Sequence, residues 1–199
     1  MRLAILRHLP TAWNVQRLLQ GRRDEPILPV PQAQCSDLRQ ALARALQQDS
    51  PAKVLVSELR RTHETAAVFG YHNSVTEPLL NELDFGPYEG KTRDTLLAEQ
   101  GPKWLHEPEN LTLGEPLLDL AQRVKTFLSK YADTPSLIMA FGHGAWMRAL
   151  WSIAADAGSL TRMNQRHIPN NALLSLAWPL TGKQDLSVSV LEAEPPAQR

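Results

Sequence analysis

The sequence predicts an α/β fold: a three-layer sandwich on a mostly parallel, mixed sheet, with helices on both faces and a small cap segment. Three observations carry this. Residues 3–6, 53–57, 137–141 and 173–178 are short runs rich in β-branched and aliphatic side chains, the mark of buried strands. Between them lie segments whose apolar residues recur at helical spacing. The resulting order of strand, helix, strand, helix is that of a sheet whose parallel strands are joined by crossover helices.

Taken in order, residues 3–6 and 137–141 are nearly all apolar, as in strands covered on both faces. Leu38, Ala41, Leu42, Ala45 and Leu46 fall at i, i+3, i+4, i+7 and i+8 and form one helical stripe. Leu117, Leu120, Ala121, Val124, Phe127, Leu128 and Tyr131 repeat it, and residues 59–69 and 145–155 are further helices, each beginning just after a strand. A short piece around Val75 and the alternating run 186–191 are expected as minor strands, the latter at an edge. The proline-broken stretch 26–32 reads as a loop, and 193–199 as a frayed tail. Residues 86–116 stand apart, with Gly86, Gly90, Gly101, Gly114, three prolines before Pro116 and little strand pattern. They read as a cap folded over the strand ends inside a single domain spanning 1–199.

A chain of 199 residues buries roughly 70% of its unfolded surface. Lys plus Arg and Asp plus Glu are equal at 21 each. That balance argues against a nucleic acid or an anionic membrane held by bulk electrostatics. Any anion must be gripped locally. Cys35 is the only cysteine, which leaves no disulfide framework and no thiolate metal cluster, and it fits a small helix residue. No apolar run approaches the ~20 residues of a membrane span, and no signal-peptide stretch opens the chain, so a reducing cytoplasm is the default compartment.

Ligands of open α/β sheets sit outside the carboxyl ends of the strands. Three strand ends here carry polar groups: Arg7 and His8 after the first, Ser57 and then Arg61 after the second, and His143 between Gly142 and Gly144 after the third. Each alone has a bland explanation as a solvated loop or helix residue. Together they bring two guanidinium groups and two imidazoles to one rim, where the cations repel unless an anion joins them. Phosphate fits best, because the planar guanidinium fork matches its oxygens. Thr11 and Asn14 add neutral donors, and Gly144 permits close backbone approach. A histidine among phosphate donors, without the spacing of a metal site, points to a nucleophile that accepts the phosphoryl group.

The stretches LRHLPTAWN, LQGRRDEPIL, VSELRRTHETA, LNELDFGPYEGKT, LGEPLLDLAQRV, FGHGAWMRAL and IPNNALLSL resemble, in order, the motifs of the histidine phosphatase superfamily, the phosphoglycerate mutase-like proteins. The resemblance implies His8 as phosphoryl acceptor, Arg7 and Arg61 holding the phosphate, His143 hydrogen-bonding the transferring group and Asn14 completing the pocket. It implies Glu82, kept protonated by partial burial, as proton donor. From the residues alone, Asp84 and Glu89 are chemically equal candidates. The family loop holding Arg22 and Arg23 borders the substrate entrance, although a solvated basic turn explains the pair as well. Leu9 and Pro10 depart from the family's glycine and acidic or amide residue, and Leu9 is expected either to narrow the rim or to weaken the turn that aims His8. His63, His72, His106 and His167 read as surface or structural, and Trp104 as a cap-packing residue or a substrate platform.

The function expected is metal-independent hydrolysis of a small phosphorylated metabolite, with no cofactor and with a homodimer as one possible assembly. Two alternatives stand beside it: a cofactor-dependent mutase, and a phosphate-binding protein that has lost turnover through Leu9.

Overall fold

Six strands form one sheet in the computed structural model, which describes residues 1–182 and 185–191. They are β1 (Arg2–Arg7), β2 (Lys53–Val56), β3 (Val75–Thr76), β4 (Leu137–Gly142), β5 (Ala172–Ala177) and β6 (Leu186–Val190), in the spatial order β3-β2-β4-β1-β5-β6. Strands β1 to β4 are mutually parallel, and β5 and β6 extend the sheet through antiparallel pairings. The expected strands match to within one residue at each end. The tail 193–199 lies outside the described residues.

Alternation along β1 builds two cores. Leu3 and Ile5 join one apolar cluster, Ala4 and Leu6 the other, as the two-residue period of a strand requires. After β1 comes the single turn α1 (Ala12–Val15); α2 (Gln32–Ala45) and α3 (Arg60–Val68) then pack Leu38, Leu42, Ala66 and Phe69 on the Ala4 face. On the opposite face, α5 (Leu117–Tyr131) and α6 (Gly144–Ala155) contribute Leu120, Val124, Phe127 and Trp146. Cys35 is buried on α2. Among the described residues, no helix is long and apolar enough to cross a membrane.

The segment 86–116 contains a helix that the sequence reading does not anticipate, α4 (Arg93–His106). Gly101 and Pro102 lie inside it, and they disguise it because proline lacks the N–H that an interior helical position donates. Leu96 and Trp104 of α4 are buried in the cluster that holds Leu120 and Trp146, so the cap continues the core. Its two ends meet backbone to backbone. Gly86 has φ +50°, and a Cβ there would lie 2.6 Å from the Cα of Gly114. The Gly114 N–H donates to the Asp84 carbonyl at 3.0 Å, closing the base of the cap.

Candidate active site

Register explains why two histidines meet. Arg7 of β1 pairs with Gly142 of β4, so His8 and His143 are the next residues on neighbouring parallel strands. The His8 N–H extends the ladder to the Gly142 carbonyl at 3.0 Å. The imidazole rings lie with centroids 5.4 Å apart.

Both rings are buried, and burial is the main reason each is held neutral, well below the usual histidine range; the nearby Arg61 and Arg7 cations push the same way. His8 Nδ1 lies 2.8 Å from the Leu9 carbonyl. A carbonyl only accepts, so in the neutral ring Nδ1 carries the proton and Nε2 keeps a bare lone pair. For His143, Arg61 Nε donates to Nδ1 at 3.2 Å, which places the proton on Nε2, donating to Ser57 Oγ at 2.7 Å. Ser57 in turn contacts Thr62 Oγ1 at 3.0 Å. Both His143 nitrogens are thus engaged in this state.

Arg61, near the start of α3, uses Nη1 and Nη2 on the carbonyls of Arg23 and Gly21 at 2.6 and 2.8 Å. Arg7 donates to the Ile168 carbonyl at 2.5 Å, while its Nε is buried without a partner. Burial lowers both guanidinium groups to about 10, with Glu82 opposing that shift. They remain cations at neutral pH, crowded beside two neutral imidazoles.

Glu82 caps α6. Its Oε1 accepts from the Leu83 and Trp146 N–H groups, each at 2.9 Å, and Oε2 accepts from the Ala145 N–H at 3.0 Å. Burial here therefore comes with three backbone donors, and the carboxyl is not an isolated group in an apolar pocket. Arg123 of α5 holds the segment by donating to the carbonyls of Asn81 and Glu82 at 3.2 and 3.3 Å. The other two carboxylates serve turns: Asp84 accepts from the Gly86 N–H at 2.7 Å, and Glu89 from the Arg22 N–H at 2.6 Å.

Arg7, His8, Asn14, Arg61, Glu82 and Gly144 line one cleft of about 190 Å³. Asn14 Oδ1 accepts from the Thr11 N–H and hydroxyl and from Asn170 Nδ2, at 3.1 to 3.2 Å. Thr11 therefore shapes the turn as the cap of α1 and does not line the cleft. Gly144 leaves room for a cation, since a Cβ there would lie 3.2 Å from Arg7 Cζ. Arg22 and Arg23 do not line the cleft. Arg22 pairs with Glu115 at 3.7 Å, Arg23 stacks over Trp13 at 5.7 Å, and it is the Arg23 carbonyl that serves the site, by holding Arg61.

Leu9 departs from both expectations. Its side chain is buried in the α2–α3 core rather than at the rim, and it is not among the positive-φ residues. Its N–H donates to Thr65 Oγ1 at 3.0 Å. Trp104, 2% exposed, is at once a core residue against Phe85 and part of the cleft wall. His167, read as surface or structural, is exposed and lies on the cleft wall. Arg93, Arg148 and Arg166 also line the cleft and were not singled out from the sequence. Arg148 had a signal: it lies four residues after Gly144 in an anticipated helix, hence on the same face.

The probable phosphoglycerate mutase GpmB of Yersinia enterocolitica is 26% identical over 163 residues, covering 76% of this chain and 74% of that protein. Among solved structures, the product of open reading frame Rv3214 of Mycobacterium tuberculosis superposes with a TM-score of 0.78 at 24% identity, covering 96% of both chains. A protein of Escherichia coli K-12, provisionally described as an alpha-ribazole-5'-P phosphatase, gives 0.71 at 23% identity, covering 96% of this chain and 95% of that one. Residues 3–188 match the histidine phosphatase superfamily (branch 1). With that match extending over nearly the whole chain and two buried imidazoles brought together by strand register, this protein belongs to the histidine phosphatase superfamily.

Proposed function

We propose that the protein is a phosphomonoesterase that hydrolyses a small phosphorylated metabolite through a phosphohistidine on His8, without a metal. One observation carries the reading: His8 Nδ1 lies 2.8 Å from the Leu9 carbonyl, which assigns the neutral ring's proton to Nδ1 and leaves Nε2 as the nucleophile in a cleft lined by Arg7 and Arg61.

In the first step Nε2 attacks phosphorus, the P–N bond forms and the ester P–O bond breaks. Arg7 and Arg61 spread the phosphoryl charge, Asn14 Nδ2 adds a neutral donor, and Glu82 gives a proton to the leaving oxygen. Oε2 is the atom for that proton, since it accepts one backbone N–H where Oε1 accepts two. Water then attacks the phosphohistidine, the P–N bond breaks, and the same carboxylate takes the water's proton. Hydrolysing a phosphate monoester can require a barrier lowered by more than ~20 kcal/mol. Several fixed donors acting on a covalent route meet that demand better than any one of them.

The test is trapping of labelled phosphate from a small phosphomonoester. Wild-type protein should carry acid-labile label on His8 and release free phosphate without added bisphosphorylated cofactor, and His8→Ala should do neither. Release at wild-type rates by His8→Ala overturns the assignment. Phosphoryl transfer to an acceptor alcohol that needs a bisphosphorylated primer would establish mutase chemistry instead.

Glu82→Gln separates proton donation from the rest. Because kcat/KM covers events only through phosphoryl transfer to His8, it should fall by ~10² or more for an alkyl phosphate. For p-nitrophenyl phosphate, whose leaving group needs no proton, the fall should be slight. Equal losses on the two esters would remove Glu82 from the acid role.

A further inference from the structure

Two of the polar groups at the strand ends, Ser57 and His143, have no part in the reaction proposed above. Ser57 follows β2 directly. Val56 of β2 pairs with Phe141 of β4, so the next residues, Ser57 and Gly142, come level, one residue short of His143. Ser57, Thr62 and His143 are fully buried and Arg61 nearly so. Their donors and acceptors must therefore be satisfied by one another, because buried polar groups left alone are rare.

Two groups of fixed sense bound the chain of hydrogen bonds that joins them. At one end stands Arg61, whose guanidinium only donates. Its Nε lies 3.2 Å from His143 Nδ1, so Nδ1 accepts and the neutral ring carries its proton on Nε2. That proton goes to Ser57 Oγ at 2.7 Å, and the Leu59 N–H donates to the same oxygen at 3.1 Å. Both lone pairs of the Ser57 hydroxyl are then taken, and its own proton is left for Thr62 Oγ1 at 3.0 Å. Thr62 in turn donates to the Leu59 carbonyl at 2.8 Å, a group that only accepts. Cation and carbonyl impose the same polarity from opposite ends, so no link reverses alone. Arg61 also donates from each terminal nitrogen to a backbone carbonyl, of Arg23 and of Gly21. One N–H on each terminal nitrogen remains for a ligand. Of these residues, Arg61 lines the cleft, and Ser57 and His143 do not.

We propose that Ser57 is a positioning residue of the phosphate site: by holding the Nε2 proton of His143 it keeps the Nδ1 lone pair on Arg61, and so fixes the guanidinium that meets the phosphoryl group. The inference rests on the phosphoester reading above for the ligand of Arg61. Without the Ser57 hydroxyl, the imidazole is free to turn and Nδ1 loses its hold on Nε. His8 and His143 then hold opposite neutral tautomers, Nδ1–H on the first and Nε2–H on the second, with ring centroids 5.4 Å apart. A backbone carbonyl sets the one, and a chain of hydroxyls sets the other.

Labelling histidine with nitrogen-15 reads both tautomers by NMR, since protonated and bare ring nitrogens resonate far apart. In the wild type at neutral pH, the ring whose signals vanish in His143→Asn should show Nε2 protonated and Nδ1 bare. Ser57→Ala should make the Nε2 proton exchange with water roughly tenfold faster or more. Ser57→Cys, which fills the same space with a weaker acceptor, should fall between the two. Affinity for inorganic phosphate, measured by calorimetry, gives the second readout. Ser57→Ala should weaken it by roughly fivefold or more in the wild-type background, but by less than about twofold in His143→Asn, where no side chain reaches from position 143 to Ser57. A wild-type His143 protonated on Nδ1, or equal losses of phosphate affinity in the two backgrounds, overturns the role of Ser57. If both results hold while His8 carries its proton on Nε2, the role of Ser57 stands and the nucleophile assignment falls.

Discussion

Leu9 and Gly144 show how much a single side chain decides here, in opposite directions. Leu9 stands where the family pattern has glycine, but its side chain points into the α2–α3 core with Leu38 and Phe69. Its N–H is anchored on Thr65. Restoring glycine should therefore act on stability: Leu9→Gly should cost ~3 kcal/mol or more and lower the melting temperature by on the order of 10 °C, while the folded protein keeps its rate of phosphate release. A collapse of activity without loss of stability would mean that Leu9 shapes the site itself. Gly144 is the reverse case. Gly144→Ala puts a methyl 3.2 Å from a guanidinium already committed to the Ile168 carbonyl, so Arg7 has little freedom to yield. Circular dichroism should report an intact fold, and kcat/KM should fall by ~10-fold or more, since small misplacements of a binding group are amplified in the rate.

Between elements, legibility followed periodicity. The strands stood out as short apolar runs, and α3, α5 and α6 were read to within one residue; the stripe of α2 shows only from Leu38, six residues after the helix begins at Gln32. Part of the candidate site was legible where a polar residue ends an apolar strand: parallel strands in register bring His8 and His143 side by side, although of the two only His8 lines the cleft. α4 escaped because Gly101 and Pro102 interrupt its pattern. Arg148 escaped because it lies in a helix whose remaining residues read as core. Glu82 was inseparable from Asp84 and Glu89 by chemistry alone, and what distinguishes it is a tertiary fact, the N-terminus of α6. Arg123 belongs to the same class of hidden information. It joins α5 to the carbonyls of Asn81 and Glu82 and grips the Glu115 carboxylate at 2.6 and 3.0 Å. Arg123→Met should therefore imitate a weak form of Glu82→Gln, lowering kcat/KM for an alkyl phosphate by ~10-fold and for p-nitrophenyl phosphate much less. An equal drop on both esters would make Arg123 a general stabiliser and not a positioning residue.

For the whole molecule, gathering cations and neutral imidazoles around one cleft ties stability to pH and to anion binding. Three cleft guanidinium groups, Arg7, Arg61 and Arg148, are lowered to about 10, chiefly by burial, and two imidazoles are kept neutral beside them. The imidazoles give this a pH signature. In the unfolded chain each takes up a proton near pH 6.5; in the folded chain it does so only well below that value. Each therefore contributes stability that is complete above about pH 6.5 and is lost on acidification at up to ~1.4 kcal/mol per pH unit, until the folded value is reached. Bound sulfate, a dianion throughout this range, supplies the opposite charge that the imidazolium form lacks, so binding it should draw protons onto the rings. At one fixed sulfate concentration the melting temperature gained should then be larger at pH 5.5, where Kd is lower, than at pH 7.5; wherever that concentration reaches 100 times Kd the gain corresponds to about 2.7 kcal/mol. In His8→Asn, which removes one of the two titrating rings, the difference between the two pH values should shrink. Equal gains at both pH values in the wild type would place the bound anion out of reach of the histidines, and with it the phosphoryl group out of reach of Nε2.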